Sequence, residues 1–171
     1  VTTKRDEVPT TFMLERVLGP EFKDLPDALK AIHQTVGVSR WQGRCVVLRG
    51  SGSWPRLLCA VFRFPPAQPD VAVAVTKTVT PHGETWERQF GHHRFKSDLS
   101  VKSGKLLEAF WPFSFVIGLQ LRGGALHYPV TAGRIGPIPL PRWLLPTSEA
   151  REFVSGGVFH FDVALLAPIT K

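Results

Sequence analysis

The chain has 171 residues, a hydrophobic fraction of 43%, a charged fraction of 20% and a formal net charge of +7. That length suits a single domain, residues 1–171, burying roughly 70% of its unfolded surface, and the composition argues against wholesale disorder. No apolar run reaches the roughly 20 residues of a membrane helix, and two cysteines cannot form a disulfide scaffold, so neither kind of protein is expected.

The N-terminal Val1-Thr-Thr-Lys-Arg-Asp-Glu has no apolar segment behind it. It reads as a flexible tail over residues 1–10, not as a secretory signal. The first third, residues 11–37, reads helical. Thr10 or Thr11 is positioned to cap a short helix that stops at Gly19. Asp24-Leu-Pro-Asp27 opens a second helix, with an acid at the cap, a proline in the first turn and a second acid three residues on. Leu25, Leu29 and Ile32 lie on one face of it, and Gly37 closes it. Residues 40–49 form a first strand. Ser53-Trp-Pro starts a further helix with Leu57, Leu58, Val61 and Phe62 as its apolar set.

From Val71 the period changes to that of strands. Strands are expected over residues 71–79, 84–90, 94–101, 105–110, 113–121, 125–130, 149–154 and 158–166. Short turns such as Arg122-Gly-Gly and Ser155-Gly-Gly join them into an antiparallel meander. Residues 134–142 read as a Gly/Pro-rich loop. The class is therefore α+β: N-terminal helices packed on a curved antiparallel sheet of about eight strands, a half-barrel or lipocalin-like form.

The excess charge is local. Residues 38–77 carry six bases (Arg40, Arg44, Arg49, Arg56, Arg63, Lys77) against Asp70, five of the seven net charges. They are spaced, without a run or stripe, so no nucleic-acid partner is expected. Cys45 and Cys59, 14 residues apart among apolar neighbours, read as buried thiols of a cytoplasmic protein. The six histidines show no ligand spacing and no metal is expected. His33, ending the second helix, reads as a cap of its dipole. No Gly-x-Gly-x-x-Gly or phosphate loop is present, so no cofactor is expected.

Strand alternation singles out the interior. Phe113, Phe115, Ile117, Leu119 and Leu121 share one face, as do Phe159, Phe161, Val163 and Leu165. Two strands break the pattern. Arg88 shares its face with Trp86 and Phe90, and Glu108 shares its face with Leu106 and Phe110. A buried charge needs a partner, so Arg88 and Glu108 are expected within reach of each other or of a polar ligand group.

Several motifs together resemble an uncharacterised bacterial family. They are Phe22-x-x-Leu-Pro26-x-x-Leu-x-x-x-His33, Glu84-x-Trp-x-Arg88-x-Phe90, Phe95-x-Ser97, Glu108, Gly136-x-x-Pro139-Leu-Pro141, Glu149-x-x-Glu152 and Phe159-x-Phe-Asp162. That family occurs alone or fused behind saccharopine-dehydrogenase-like or short-chain-dehydrogenase NAD(P)-binding domains. The resemblance implies a module of unknown function that serves as an accessory to a reductase. It departs at Gly133-Arg134-Ile135, where the family has Arg-Trp or Trp-Trp. It departs again after Pro168, where a Gly-Leu-Val-x-Tyr segment is expected and missing.

Three functions remain in view. The first is a binding module for a small apolar or amphipathic molecule, with Trp86, Phe95, Phe115 and Tyr128 as walls, Arg88 as anchor, and an enclosed cavity of several hundred Å³ as its signature. The second is an enzyme using Glu108 or Glu149 as acid or base beside Arg88. The third is an accessory domain docking on an NAD(P)-dependent reductase through an apolar patch near residues 138–145.

Overall fold

A computed structural model describes residues 11–50, 52, 56, 59, 60 and 64–166. The expected tail over residues 1–10 and most of the expected helix over residues 53–62 lie outside the described residues. The chain opens with α1 (Met13–Leu18), a 3-10 turn (Gly19–Asp24) and α2 (Asp27–His33). Neither expected cap is used. Phe12 stands at the N-cap of α1 without a side-chain cap bond. Asp24 ends the 3-10 turn, and Pro26 is the N-cap of α2. The reason is steric: Leu25 precedes a proline and is extended (φ −66, ψ 145), so the helix starts only after Pro26. It ends at His33 rather than Gly37. Gly37, at φ +64, makes the turn into the first strand, and its carbonyl accepts the Val79 N–H at 2.8 Å.

Six strands follow as an antiparallel meander: β1 (Val38–Val47), β2 (Gln68–Thr80), β3 (Gly83–Phe90), β4 (His93–Lys102), β5 (Lys105–Phe110) and β6 (Phe113–Ile117). Three of the four strands expected after Pro112 divide, the last of them, over residues 158–166, after Asp162. Residues 113–121 become β6 and β7 (Gln120–Arg122), while residues 125–130 become β8 (Ala125–His127) and the start of β9 (Val130–Ile135). The chain leaves the main sheet at Gly118 and returns at Pro129. These two points are tied together, since the Gly118 N–H donates to the Pro129 carbonyl at 2.8 Å. The expected loop after residue 130 is partly a hairpin of β9 with β10 (Ile138–Pro139). A 3-10 turn (Arg142–Leu144) and β11 (Thr147–Ser148), β12 (Arg151–Ser155), β13 (Val158–Asp162) and β14 (Leu165–Leu166) complete the described residues.

The main sheet has eight strands in the order β1-β2-β3-β4-β5-β6-β9-β10 and does not close. A smaller sheet runs β13-β12-β8-β7, and β11 pairs with β14. The fold is α+β, a curved, open antiparallel sheet with N-terminal helices. The expected count of about eight strands describes the main sheet alone.

The helices lie between the two larger sheets. Met13 and Ile32 pack with Trp86, Leu99, Leu106, Phe115 and Ile117 on the inner face of the main sheet. Leu14, Leu18, Phe22, Leu25 and Leu29 pack on Leu126 of the smaller one. The face expected for the last strand is only partly buried. Phe159 joins both apolar clusters, but Phe161, on the edge strand β13, and Val163, just past its end, are exposed. Cys45 and Cys59 are free and half-buried rather than sealed in the core.

Gly133 of β9 faces Phe115 and Leu145. A Cβ there would stand 2.9 Å from Leu145 Cδ2 and 2.9 Å from Phe115 Cδ1, closer than carbon atoms approach. Gly133→Ala is expected to lower stability by about 1–3 kcal/mol in urea unfolding. Gly43→Ala, whose Cβ would meet only Val73 at 3.7 Å, serves as the near-neutral control.

Candidate functional site

The strand register decides which side chains meet. Glu84, Trp86 and Arg88 alternate onto the inner face of β3. Lys77 of β2 and Ser97 of β4 lie directly opposite Trp86. Arg88 lies opposite Val75 and Phe95, and Glu108 of β5 opposite Leu99 and Phe115. Three charged groups result, two of them on this otherwise apolar face.

The first centres on Lys77, whose side chain has no solvent exposure. Its Nζ meets Glu84 Oε1 at 3.0 Å and donates to the carbonyls of Ile32 at 3.2 Å and His33 at 3.3 Å. An ammonium has three N–H groups, and each finds an acceptor. Glu84 Oε2 in turn accepts the Trp86 Nε1–H at 2.9 Å. Burial lowers the Lys77 pKa, and the attraction of Glu84 and Glu152 opposes that shift without cancelling it.

The second joins α2 to the smaller sheet. His33 Nε2 lies 2.7 Å from Glu152 Oε2, and the Tyr128 hydroxyl donates to the same oxygen at 2.7 Å. Burial alone would raise the Glu152 pKa. His33, the Tyr128 hydroxyl and Arg88 outweigh it, and the carboxyl is held below its ordinary value. An ionised Glu152 accepts from both neighbours, so Nε2 of His33 carries the donated proton. Nδ1 of His33 is left buried with no partner among the described residues. In place of the dipole cap expected of it, His33 makes a buried hydrogen bond to Glu152. Tyr128 is raised well above the ordinary tyrosine value, by burial first and then by Glu152, Glu108 and Glu84.

The third is the expected pair. Arg88 NH2 and Glu108 Oε1 are 3.8 Å apart, and Arg88 NH1 donates to Ser97 Oγ at 2.9 Å. The guanidinium lies over Trp86 at 5.5 Å and Phe95 at 5.0 Å from their ring centroids. Trp86 also stacks on Trp41 and leans on the His33 ring.

Six of the seven sequence candidates therefore lie on or beside this inner face: Trp86, Arg88, Phe95, Glu108, Phe115 and Tyr128. Glu149 does not. It is exposed, and its backbone N–H bonds to the Ala164 carbonyl. The carboxylate from that region is Glu152. Sequence reasoning also passed over Lys77 and Glu84, although both carry the signal that exposed Arg88. Lys77 falls in step with Val73, Val75 and Val79, and Glu84 in step with Trp86. Among the described residues no three His, Cys, Asp or Glu side chains gather as a metal site.

The expected enclosed cavity does not coincide with these residues. A half-open hollow of about 440 Å³ lies beside β5, β6, β9 and β10, lined by Leu107, Val116, Pro139, Leu140 and others. Of the candidates, Phe115 alone lines it.

The fold and its cluster define a class: an α+β domain whose open sheet encloses a buried ionic network beneath two short helices. Residues 25–171 match the model of a family described as a domain of unknown function, DUF4166, and the chain belongs to it. No curated protein and no solved structure matches the chain.

Two outcomes test the network. Tyr128 is the one tyrosine of the chain, so tyrosinate absorbance reports it alone. A raised folded-state pKa means that its stabilising contribution is complete below the ordinary value of about 10 and is lost as the pH climbs beyond it. The native protein is expected to show no tyrosinate at a pH where the urea-unfolded chain is half ionised. Glu84→Ala leaves Lys77 buried without its counter-charge and should cost about 3–5 kcal/mol in chemical unfolding. The double variant Lys77→Met, Glu84→Leu should cost less than Glu84→Ala alone.

Proposed function

We propose that the domain is a binding module for a small amphipathic molecule whose acidic group engages Arg88. The observation that carries this reading is the state of the guanidinium. Among the described residues it makes one hydrogen bond, to Ser97, and its contact with Glu108 at 3.8 Å is longer than a hydrogen bond. An arginine has five N–H donors, so most remain for another acceptor. Its side chain keeps 13% of its surface exposed, in contrast to the fully sealed Lys77. Trp86 and Phe95 flank it with aromatic faces, and Phe115 and Tyr128 extend the apolar wall. A carboxylate or phosphate on Arg88, with its apolar part along the aromatic side chains, matches these groups one by one.

Native mass spectrometry of freshly purified protein is expected to show a co-purified small molecule. Decanoate serves as a defined probe for calorimetry. Arg88→Gln should weaken its binding about tenfold or more, as loss of a charge-assisted contact does. Arg94→Gln, on the outer face beside Glu87, should leave it unchanged. Equal binding by wild-type protein and Arg88→Gln would sink the reading.

A further inference from the structure

The β10 edge of the main sheet ends in a corner of unusual composition. Phe110 pairs with Phe113, Phe113 with Ile135, and Ile135 with Ile138. Trp111 sits on the turn between β5 and β6 and is 95% exposed. The N–H of Gly136 donates to the Pro112 carbonyl at 2.9 Å, which ties that turn to the turn of the β9–β10 hairpin. Ile138 and Trp143 are each 66% exposed, and Ile135 is exposed as well. Trp143 follows β10 in the chain. Leu140 N–H bonds to the Gly133 carbonyl, and Leu145 packs against Gly133, so the segment between them folds back on β9. Trp111 and two isoleucines thus face solvent at one end of one sheet, and Trp143 is exposed on the 3-10 turn that follows β10.

The charges of this region have one sign. Between Glu108 and Glu149 the sequence contains no acidic residue, and it contains Arg122, Arg134 and Arg142. Arg134 and Arg142 are exposed. Neither forms an ion pair among the described residues, although five other surface or part-buried basic side chains do. The half-open hollow of about 440 Å³ adjoins the corner, with apolar walls from Leu107, Val116, Ala132, Pro139 and Leu140 and with Arg134 in its lining.

We propose that this corner docks the domain on an anionic lipid surface, with Trp111, Trp143, Ile135 and Ile138 entering the interface and Arg134 and Arg142 contacting lipid phosphates. Tryptophan is at home at the level of lipid headgroups, where its ring is in apolar surroundings and its N–H is wet. Arg142, and Arg134 whose guanidinium donates to the Pro137 carbonyl at 2.7 Å, have no acidic partner among the described residues and match the negative charge of the leaflet. The hollow has the size and the lining to take the end of an acyl chain. A protein partner would have to bring its own acids to meet both arginines, whereas an anionic bilayer presents them everywhere. This surface is separate from Arg88 and does not depend on the reading of the inner face.

The full chain is mixed with vesicles of phosphatidylcholine alone, and of phosphatidylcholine with phosphatidylglycerol, and bound protein is separated by flotation. Binding to the mixed vesicles is expected, with a blue-shifted tryptophan emission, and it should weaken as salt is raised. Arg134→Gln and Arg142→Gln should each weaken it about fivefold. Trp111→Ala with Trp143→Ala should abolish it while the circular dichroism and the thermal transition stay those of the wild type, since both side chains are exposed. Arg88→Gln should bind vesicles as the wild type does. Absence of binding to the mixed vesicles overturns the proposal. So does binding that the tryptophan variant leaves intact, or a corner that captures a purified protein partner and no vesicle.

Discussion

Lys77 is a lysine ammonium without access to water, and it holds the N-terminal helices to the main sheet. An ion of this kind is tolerated only when every donor is met and the charge is balanced close by. Two of its three acceptors are the carbonyls that end α2, and the third is Glu84 on the neighbouring strand. The position of α2 follows from that requirement. So does the position of His33, the last residue of the helix, which is brought to Glu152 on the smaller sheet. One buried charge on β2 thereby fixes the helix, and the helix joins the two sheets.

The network explains why the interior contains so much polarity. Trp86 is its hub. Its indole N–H is bound by Glu84, its ring is stacked on Trp41, and Lys77 and Arg88 both lie near its face. The groups differ in their saturation. Lys77 has a full set of acceptors, as expected of a structural ion. Arg88 has spare donors and some exposure, which is the reason it, and not Lys77, is the anchor proposed for a ligand.

Much of this was legible in the residues. The alternation of Trp86, Arg88 and Phe90 against Thr85 and Glu87 placed an arginine inside, and the same logic placed Glu108 there. Their contact across β4 follows from strand spacing, because Ser97 between them is small enough to let the two long side chains meet. Glu152 was not legible. Its strand neighbours do not mark it as buried, and its partners His33 and Tyr128 are 119 and 24 residues away. The division of residues 113–121 and 125–130 was hidden too. A greasy alternation continues unbroken through Gly118 and Leu119, and only the pairing of Gly118 with Pro129 shows that the chain changes sheets there.

By itself the sequence determined the class, the strand faces and the presence of charge among aromatics, because period and turn residues are local properties. It also determined an overall excess of +7, which by counting falls mainly on residues 38–77. The tertiary structure decided which charges count. It sealed Lys77 and Glu152, left Glu149 at the surface, and gathered Trp111, Ile135 and Ile138 at one corner. Such pairings join residues far apart in the chain, and they follow from sheet order and helix placement, which no short stretch of sequence encodes.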